Sequence, residues 1–322
     1  MENTSIQETL SNVQKAFNTP SYVQGAPMVR ENLAEAILRL PLKETPIRDR
    51  LPRKAGSGLA ASWTVMTTLG VGNSPFAEGG TPTEDATGYV RRSAVYKELG
   101  KTKSVSDRMI AAGKTFIDME AELTEVAMRE VIQDEEQLII TGSTTVSSLQ
   151  FDGLKKQLTT NVIDDNNNAL GYRLSLLDQA VEKLVSTFNT RPTAIYCGFG
   201  MKRKINESLI GDVRVNLDVT NSVATGTEVN FYQSMIGKLP IIPTFAIAGD
   251  TTTYGGNTVE DIYIVTESTQ GENVIYLEDL YGMGKVPLDR TGASVKFMVT
   301  ECTVLVNRAE EFHVRVANVR TK

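Results

Sequence analysis

Apolar residues at three- and four-residue spacing mark one helix ahead of every other element. Phe116, Met119, Leu123, Val126, Ala127 and Val131 share a face and predict a helix over 115–138. A second periodic run, Leu174, Leu177, Val181, Leu184 and Phe188, predicts a helix that Asn189 and Pro192 bring to an end. Short apolar runs of strand type surround it, at 194–197, 241–248, 262–266 and 273–277, with a short helix at 201–209. Two long strands, 294–306 and 311–319, close the chain. In the first, alternation is clean from Val295 to Val299. It changes phase around Glu301, with Cys302, Val304 and Val306 on the other side, as a bulge or burial on both faces would produce.

Upstream of the long helix the pattern is different. Residues 1–53 read as an arm: a polar amphipathic stretch (Ile6, Leu10, Val13, Phe17), then Pro20, Pro27, Pro41, Pro46 and Pro52, with a short helix over 30–40 carrying Leu33, Ile37 and Leu40. Such a segment has little core of its own. Residues 62–69, where Trp63, Val65 and Thr67 alternate, read as a strand, and 89–98 as its return partner. A tip rich in Gly, Pro and Thr lies between them. A lone two-stranded hairpin is marginal in water. This one carries Trp63, Met66, Leu69, Phe76 and Tyr96, which need a surface to lie on. Four segments result: an arm over 1–53, an extended hairpin over 54–112, the long helix with the closing strands over 113–144 and 286–322, and a mixed helix and strand region over 145–285. No fixed-period repeat is present.

Composition then removes function classes. With 322 residues, 41% of them hydrophobic and 22% charged, the chain can bury a substantial core. A net charge of -6 opposes a protein whose main task is to grip nucleic acid through its phosphates. No run of about 18 apolar residues is present to span a membrane, and residues 1–17 lack the apolar centre of a signal peptide. The single histidine, His313, and two cysteines, Cys197 and Cys302, are too few for a Cys/His zinc site. His313 reads as a mid-strand structural or interfacial residue, and the cysteines as small buried apolar residues.

The motifs that tempt are incomplete. Gly113-Lys114-Thr115 lacks the first glycine of a phosphate loop, because position 108 is Arg108. Asp164-Asp165-Asn166-Asn167-Asn168 opens like a calcium loop, but Ala169 and Ser175 stand where Gly and Glu are required. Gly198-Phe199-Gly200 before Lys202, Arg203 and Lys204 lacks the rest of a dinucleotide fingerprint.

Charge placement says more. Residues 48–114 hold eleven basic and six acidic side chains, whereas 115–136 hold eight acidic and one basic. A basic hairpin followed by an acidic helix suits contact between copies of the chain, as well as two solvated faces.

The order of parts resembles the major capsid proteins of tailed bacteriophages, whose shell fold is shared with encapsulins and herpesvirus floor domains. Local stretches carry the resemblance: Phe116 to Leu123 as the start of a spine helix, Phe151-Asp152-Gly153-Leu154 as the turn after it, Arg191-Pro192-Thr193-Ala194-Ile195-Tyr196 and Gly237-Lys238-Leu239-Pro240-Ile241-Ile242 as strands, and 294–319 as the returning pair. The resemblance implies an α+β fold with an N-terminal arm, an E-loop hairpin, a peripheral P domain built on the spine helix and an axial A domain. It implies a shell of hexamers and pentamers, icosahedral or prolate, around packaged DNA that is bound without sequence specificity. No catalytic residue, metal or cofactor is implied. Portal and decoration proteins are the family's partners, and the short arm implies a separate scaffold protein or none. The location implied is the virion, after synthesis in the bacterial cytoplasm. Hairpin lysines such as Lys97, Lys101 and Lys103 cross-link in some members, but no partner Asn is identifiable. The expected contacts between subunits are Arg91 and Arg92 of the hairpin against Glu120, Glu122 and Glu125 of a neighbour's spine, with Trp63 packing between subunits. An encapsulin enclosing cargo proteins is the alternative within the fold, and an α/β enzyme the alternative outside it.

Overall fold

Thr45 leads into α1 (Pro46–Arg50), where proline at the first helical position loses no bonded N–H. A computed structural model describes the chain from residue 43 onward except for residues 69–74, 82–83, 85, 114–117, 167, 169–170, 213–229, 251–255, 291 and 322. The helix expected at 30–40 lies outside the described residues, as do Leu69 and the Lys114-Thr115 pair. After α1 come β1 (Arg53–Ala55), β2 (Ala60–Thr68), β3 (Gly88–Val95), β4 (Lys97–Ser106) and the short α2 (Asp107–Gly113). The long helix, α3, runs over Met119–Thr141. Its start is fixed by Asp118, whose side chain accepts from the N–H groups of Glu120 and Ala121.

Then follow α4 (Leu154–Gln157), β5 (Val162–Asp164), α5 (Leu174–Phe188), β6 (Ala194–Cys197), α6 (Phe199–Asp212), β7 (Phe231–Ser234), β8 (Gly237–Pro243), β9 (Val259–Val265), β10 (Ser268–Thr269), β11 (Glu272–Asn273), β12 (Ile275–Leu288), β13 (Ser294–Asn307) and β14 (Val314–Arg320). A 3-10 turn, Glu310–Phe312, separates the last two strands.

Among the described residues these strands form four sheets, the smallest being the short ribbon β10-β11. The hairpin β2–β3 is a sheet of its own. A four-stranded sheet has the order β1-β12-β13-β4, and a six-stranded sheet the order β5-β14-β9-β6-β8-β7. The two closing strands, expected as a pair, therefore do not pair: β13 lies between β12 and β4, whereas β14 lies between β5 and β9. The reason is the turn between them, which redirects the chain and buries Val314 and Val316 in the second sheet's core.

The six-stranded sheet is apolar on both faces. Ile195 and Cys197 of β6, with Ile262 and Ile264 of β9, pack under α5, while Ala194, Tyr196, Tyr263 and Val265 face a second core. Two-sided burial explains why these strands read as unbroken apolar runs. From α5 the sheet takes Leu176, Leu177, Ala180, Val181 and Leu184. Leu174 and Phe188, expected on the same face, are half-buried. Asn189 ends α5 in the left-handed region (φ 49°), its N–H bonded to the Leu184 and Val185 carbonyls. The other core joins α1, the base of the hairpin, the C-terminal end of α3 and the four-stranded sheet. Ile47 and Leu51 are 0% and 4% exposed there, so the end of the expected arm belongs to the main core.

Candidate assembly interface

The hairpin register sets which side chains it offers. Trp63 pairs with Arg92, Ala61 with Ala94 and Val65 with Val90, and directly opposed residues share a face. At its base this face meets the body of the molecule: Ala61 is buried, and Trp63 and Ala94 pack on the main core. Trp63 thus packs within its own chain, and its indole N–H has no acceptor among the described residues. Further out, Val90 is exposed. On the opposite face Met66 pairs with Tyr89, at 50% and 67% exposure, and Thr64 with Arg91. Nothing among the described residues covers this outer part of the ribbon.

Arg92 is committed within the chain, 2.9 Å from Glu311. Arg91 is exposed and makes no hydrogen bond or ion pair among the described residues. Neither arginine meets the spine acids in its own chain. Those acids have nearer partners: Glu120 pairs with Lys285 at 2.7 Å, and Glu125 with Arg129 one turn on. Glu122 is half-buried in the first turn of α3. The expected basic hairpin and acidic spine are partly complementary inside one subunit. Lys101 and Lys103 belong to β4 rather than to the hairpin, and pair with Asp134 and Glu130 of α3 at 2.6 and 2.7 Å. A groove of about 640 Å³ lies at the hairpin base, lined by Trp63, Arg92, Phe151, Leu305, Asn307 and Glu310 among others.

A buried charged joint was not anticipated from the sequence. Glu135 of α3 is bonded by both Arg48 and Arg53, the latter at 2.6 Å. Glu136 accepts from the backbone N–H groups of Ile47 and Arg48 at 3.3 and 2.7 Å and from the Thr244 hydroxyl at 2.9 Å. Burial nevertheless raises the Glu136 carboxyl above its usual range. The two consecutive carboxylates pin residues 45–53 onto α3. The phase change of β13 at Glu301 was the visible sign: burial becomes two-sided there, and the bulges lie in the partner strand β12, between Asp279 and Gly284.

The turn after the spine shows why its glycines are needed. The Gly153 N–H bonds to the Gly142 carbonyl at 2.9 Å. A Cβ on Gly153 would strike the Leu138 carbonyl oxygen and lie 2.8 Å from that of Ile139.

The motifs set aside earlier have internal uses. At Gly198-Phe199-Gly200, the start of α6, the position a phosphate would take is filled by the chain's own Glu260, whose carboxylate accepts from the Met201 N–H at 2.8 Å. Asp164 accepts from the Asn166 N–H and the Asn318 amide, and Asp165 pairs with Arg173. Among the described residues no cluster of acids, His and Cys could hold a metal ion, and no helix is long and apolar enough to cross a membrane. His313 ends the 3-10 turn rather than standing mid-strand, and is fully buried. Its Nδ1 accepts from the Thr266 N–H at 3.1 Å, so Nε2 carries the proton and donates to Asn307 Oδ1 at 3.1 Å. Burial lowers its pKa to about 3, which keeps it neutral. Cys197 and Cys302 are buried and free.

A ribbon hairpin, a long helix on a four-stranded sheet, and a second sheet under its own helices define the tailed-phage capsid class of shell protein. Solved structures share the fold. The capsid of a native GTA particle has a TM-score of 0.70 at 11% identity, covering 94% of this chain and 99% of that one. The SrpI encapsulin of Synechococcus elongatus PCC 7942 has a TM-score of 0.64 at 11% identity, covering 92% and 95%. A chain from Mycobacterium phage Bobi has a TM-score of 0.63 at 11% identity, covering 91% and 97%. No curated protein sequence matches. The model of the SU10 major capsid protein family matches residues 9–320, and the chain belongs to that family. It is a shell-forming structural protein of a virion capsid, which assembles with copies of itself into capsomers.

Proposed function

We propose that the outer half of the hairpin, residues 64–91, is the part of each subunit that overlaps a neighbour, in the manner of an E-loop. The supporting observation is the uncovered ribbon: Met66, Tyr89 and Val90 are exposed on a two-stranded sheet that has no core of its own. In this reading the four-stranded sheet with α3 is the P domain. The six-stranded sheet with α5 and α6 is the A domain around the local symmetry axis, and β14 belongs to it. Hexamers and pentamers close a shell around the phage genome, which the acidic subunit holds without sequence specificity. Arg91 is the hairpin arginine left to reach a neighbour, because Arg92 is held by Glu311. The protein performs no catalysis, and its other partners are a portal, with scaffold and decoration proteins where the phage supplies them. Synthesis takes place in the host cytoplasm.

Electron microscopy of the purified chain tests this reading. Closed particles are expected from the full chain. Shortening the hairpin at residues 66–89 should give folded subunits that do not close. Normal particles from that variant would overturn the assignment. The likeness to an encapsulin supports a second reading, a shell around protein cargo. Nucleic acid rather than cargo protein inside particles made in cells decides for the phage shell.

A further inference from the structure

The seam between α3 and β13 begins apolar and ends in carboxylates. Ala127 and Val131 of the helix pack with Phe297 and Val299 of the strand. One turn further along the helix and two residues further along the strand stand Glu135 and Glu301, 0% and 1% exposed. Their circumstances differ. Glu135 is held by two guanidinium groups, whereas neither carboxyl oxygen of Glu301 has a hydrogen-bond partner among the described residues. A buried carboxylate without donors is far more costly than a neutral carboxyl. The charged groups facing Glu301 are Glu135 from α3, Asp279 from β12, Arg53 from β1 and Arg48 from α1. On β4 the two cations equally near in register, Lys97 and Lys101, are taken by the Ser148 carbonyl and by Asp134. Burial first, and then the charge of Glu135, raise the Glu301 carboxyl to about 7 against the pull of Arg53 and Arg48.

The arginines that face Glu301 are the ones that tie residues 45–55 to the spine helix. We propose that Glu301 is a proton-operated latch for that segment: protonated, it leaves Arg48 and Arg53 to Glu135, and ionised, it competes for them and loosens the segment. One proton passes from Glu301 to solvent, and no bond to carbon changes. A carboxyl raised in the closed form favours that form fully at low pH and loses this preference as pH climbs to neutrality. The segment leads directly into the hairpin, so the latch sets how firmly the hairpin's root is anchored. The inference concerns the single subunit and holds or fails independently of how subunits meet.

The test uses the full chain, unassembled, in two measurements. Infrared difference titration should show one protonated carboxyl disappearing between about pH 6 and 8, absent in Glu301→Gln. Hydrogen exchange at the Ile47 and Arg48 amides, corrected for the intrinsic pH dependence, should accelerate by up to about tenfold per pH unit from about pH 4.5 to about pH 7, and level off above it. In Glu301→Gln this acceleration should be reduced to what Glu136, which receives those amides, contributes. A wild-type chain with no carboxyl titrating there overturns the proposal, and so does a variant whose exchange keeps the full wild-type pH dependence. Should Glu301→Gln not fold, the wild-type infrared titration decides alone.

Discussion

Arg92 in β3 and Glu311 in the turn before β14 form an ion pair across 219 residues of sequence, tying the base of the hairpin to the point where the chain passes from one sheet to the other. Both side chains are about a quarter to a third exposed, so the pair contributes about 0–1 kcal/mol. Arg92→Glu should lower the melting temperature slightly, and the added exchange Glu311→Arg should restore it. Arg91→Glu should leave the melting temperature unchanged and reduce the yield of closed particles. Equal assembly by wild type and Arg91→Glu would remove Arg91 from the interface.

Gly153→Ala should be among the most damaging single-atom changes in the molecule. Its methyl would meet backbone oxygens of Leu138 and Ile139 together with the Gly142 nitrogen, none of which can rotate away. Overpacking of this kind costs about 1–3 kcal/mol, and rigid neighbours put this site at the upper end. Urea unfolding of the subunit measures it. Ala substituted at Gly256, whose added Cβ meets no atom within 4 Å, tests strain from its φ of 91° alone and should cost less.

Leu177→Ala removes a fully buried side chain from between α5 and the six-stranded sheet. The expected loss is about 2–5 kcal/mol, read as a lower urea midpoint with an unchanged slope. Wild-type stability in this variant would mean that α5 does not bear on the sheet as described.

His313 gives the subunit an acid-sensitive component. Its folded pKa of about 3 lies below the ordinary histidine value of 6.5, so the unfolded chain binds the extra proton between those values. Stability from this group is fully present above about pH 6.5 and falls by about 1.4 kcal/mol per pH unit toward pH 3. His313→Gln should shallow the acid limb of a stability profile by that single proton. Particle number and shape at neutral pH should stay normal. An unaltered acid limb would place the titration elsewhere.

The elements legible in the sequence were those buried on one face or on both. The strand 194–197 and the helix 174–188 stand where their apolar spacing placed them, and the spine is displaced by only a few residues because Asp118 caps it. What escaped was polar. Strand β4, Lys-Glu-Leu-Gly-Lys-Thr-Lys-Ser-Val-Ser, alternates exposed and half-buried positions, and its lysines look like surface charge until Asp134 and Glu130 are seen beside them. The second half of β12 carries Gly282, Gly284 and Pro287 and is largely exposed, so only its buried start read as strand. Pairing between distant strands leaves no local signature, hence the mistaken pairing of β13 with β14. Of the expected interface, the hairpin itself was legible. The partners of Arg92, Glu120 and Glu125 were not, since each lies far away in the sequence or one turn along a helix.

The place of β14 between β5 and β9 bears on when a subunit becomes competent. Among the described residues strand β5 has no neighbour other than β14, and Asn161 just before it donates its amide to the Glu311 carbonyl, 150 residues away. Until residues 314–320 leave the ribosome, the six-stranded sheet is split and the core under α5 lacks Val314, Val316 and Val319. Such late, long-range closure is slow to form. The two halves of the second sheet are therefore joined only by a strand that follows β5 by some 150 residues, so a chain cut short before residue 314 has no finished second sheet.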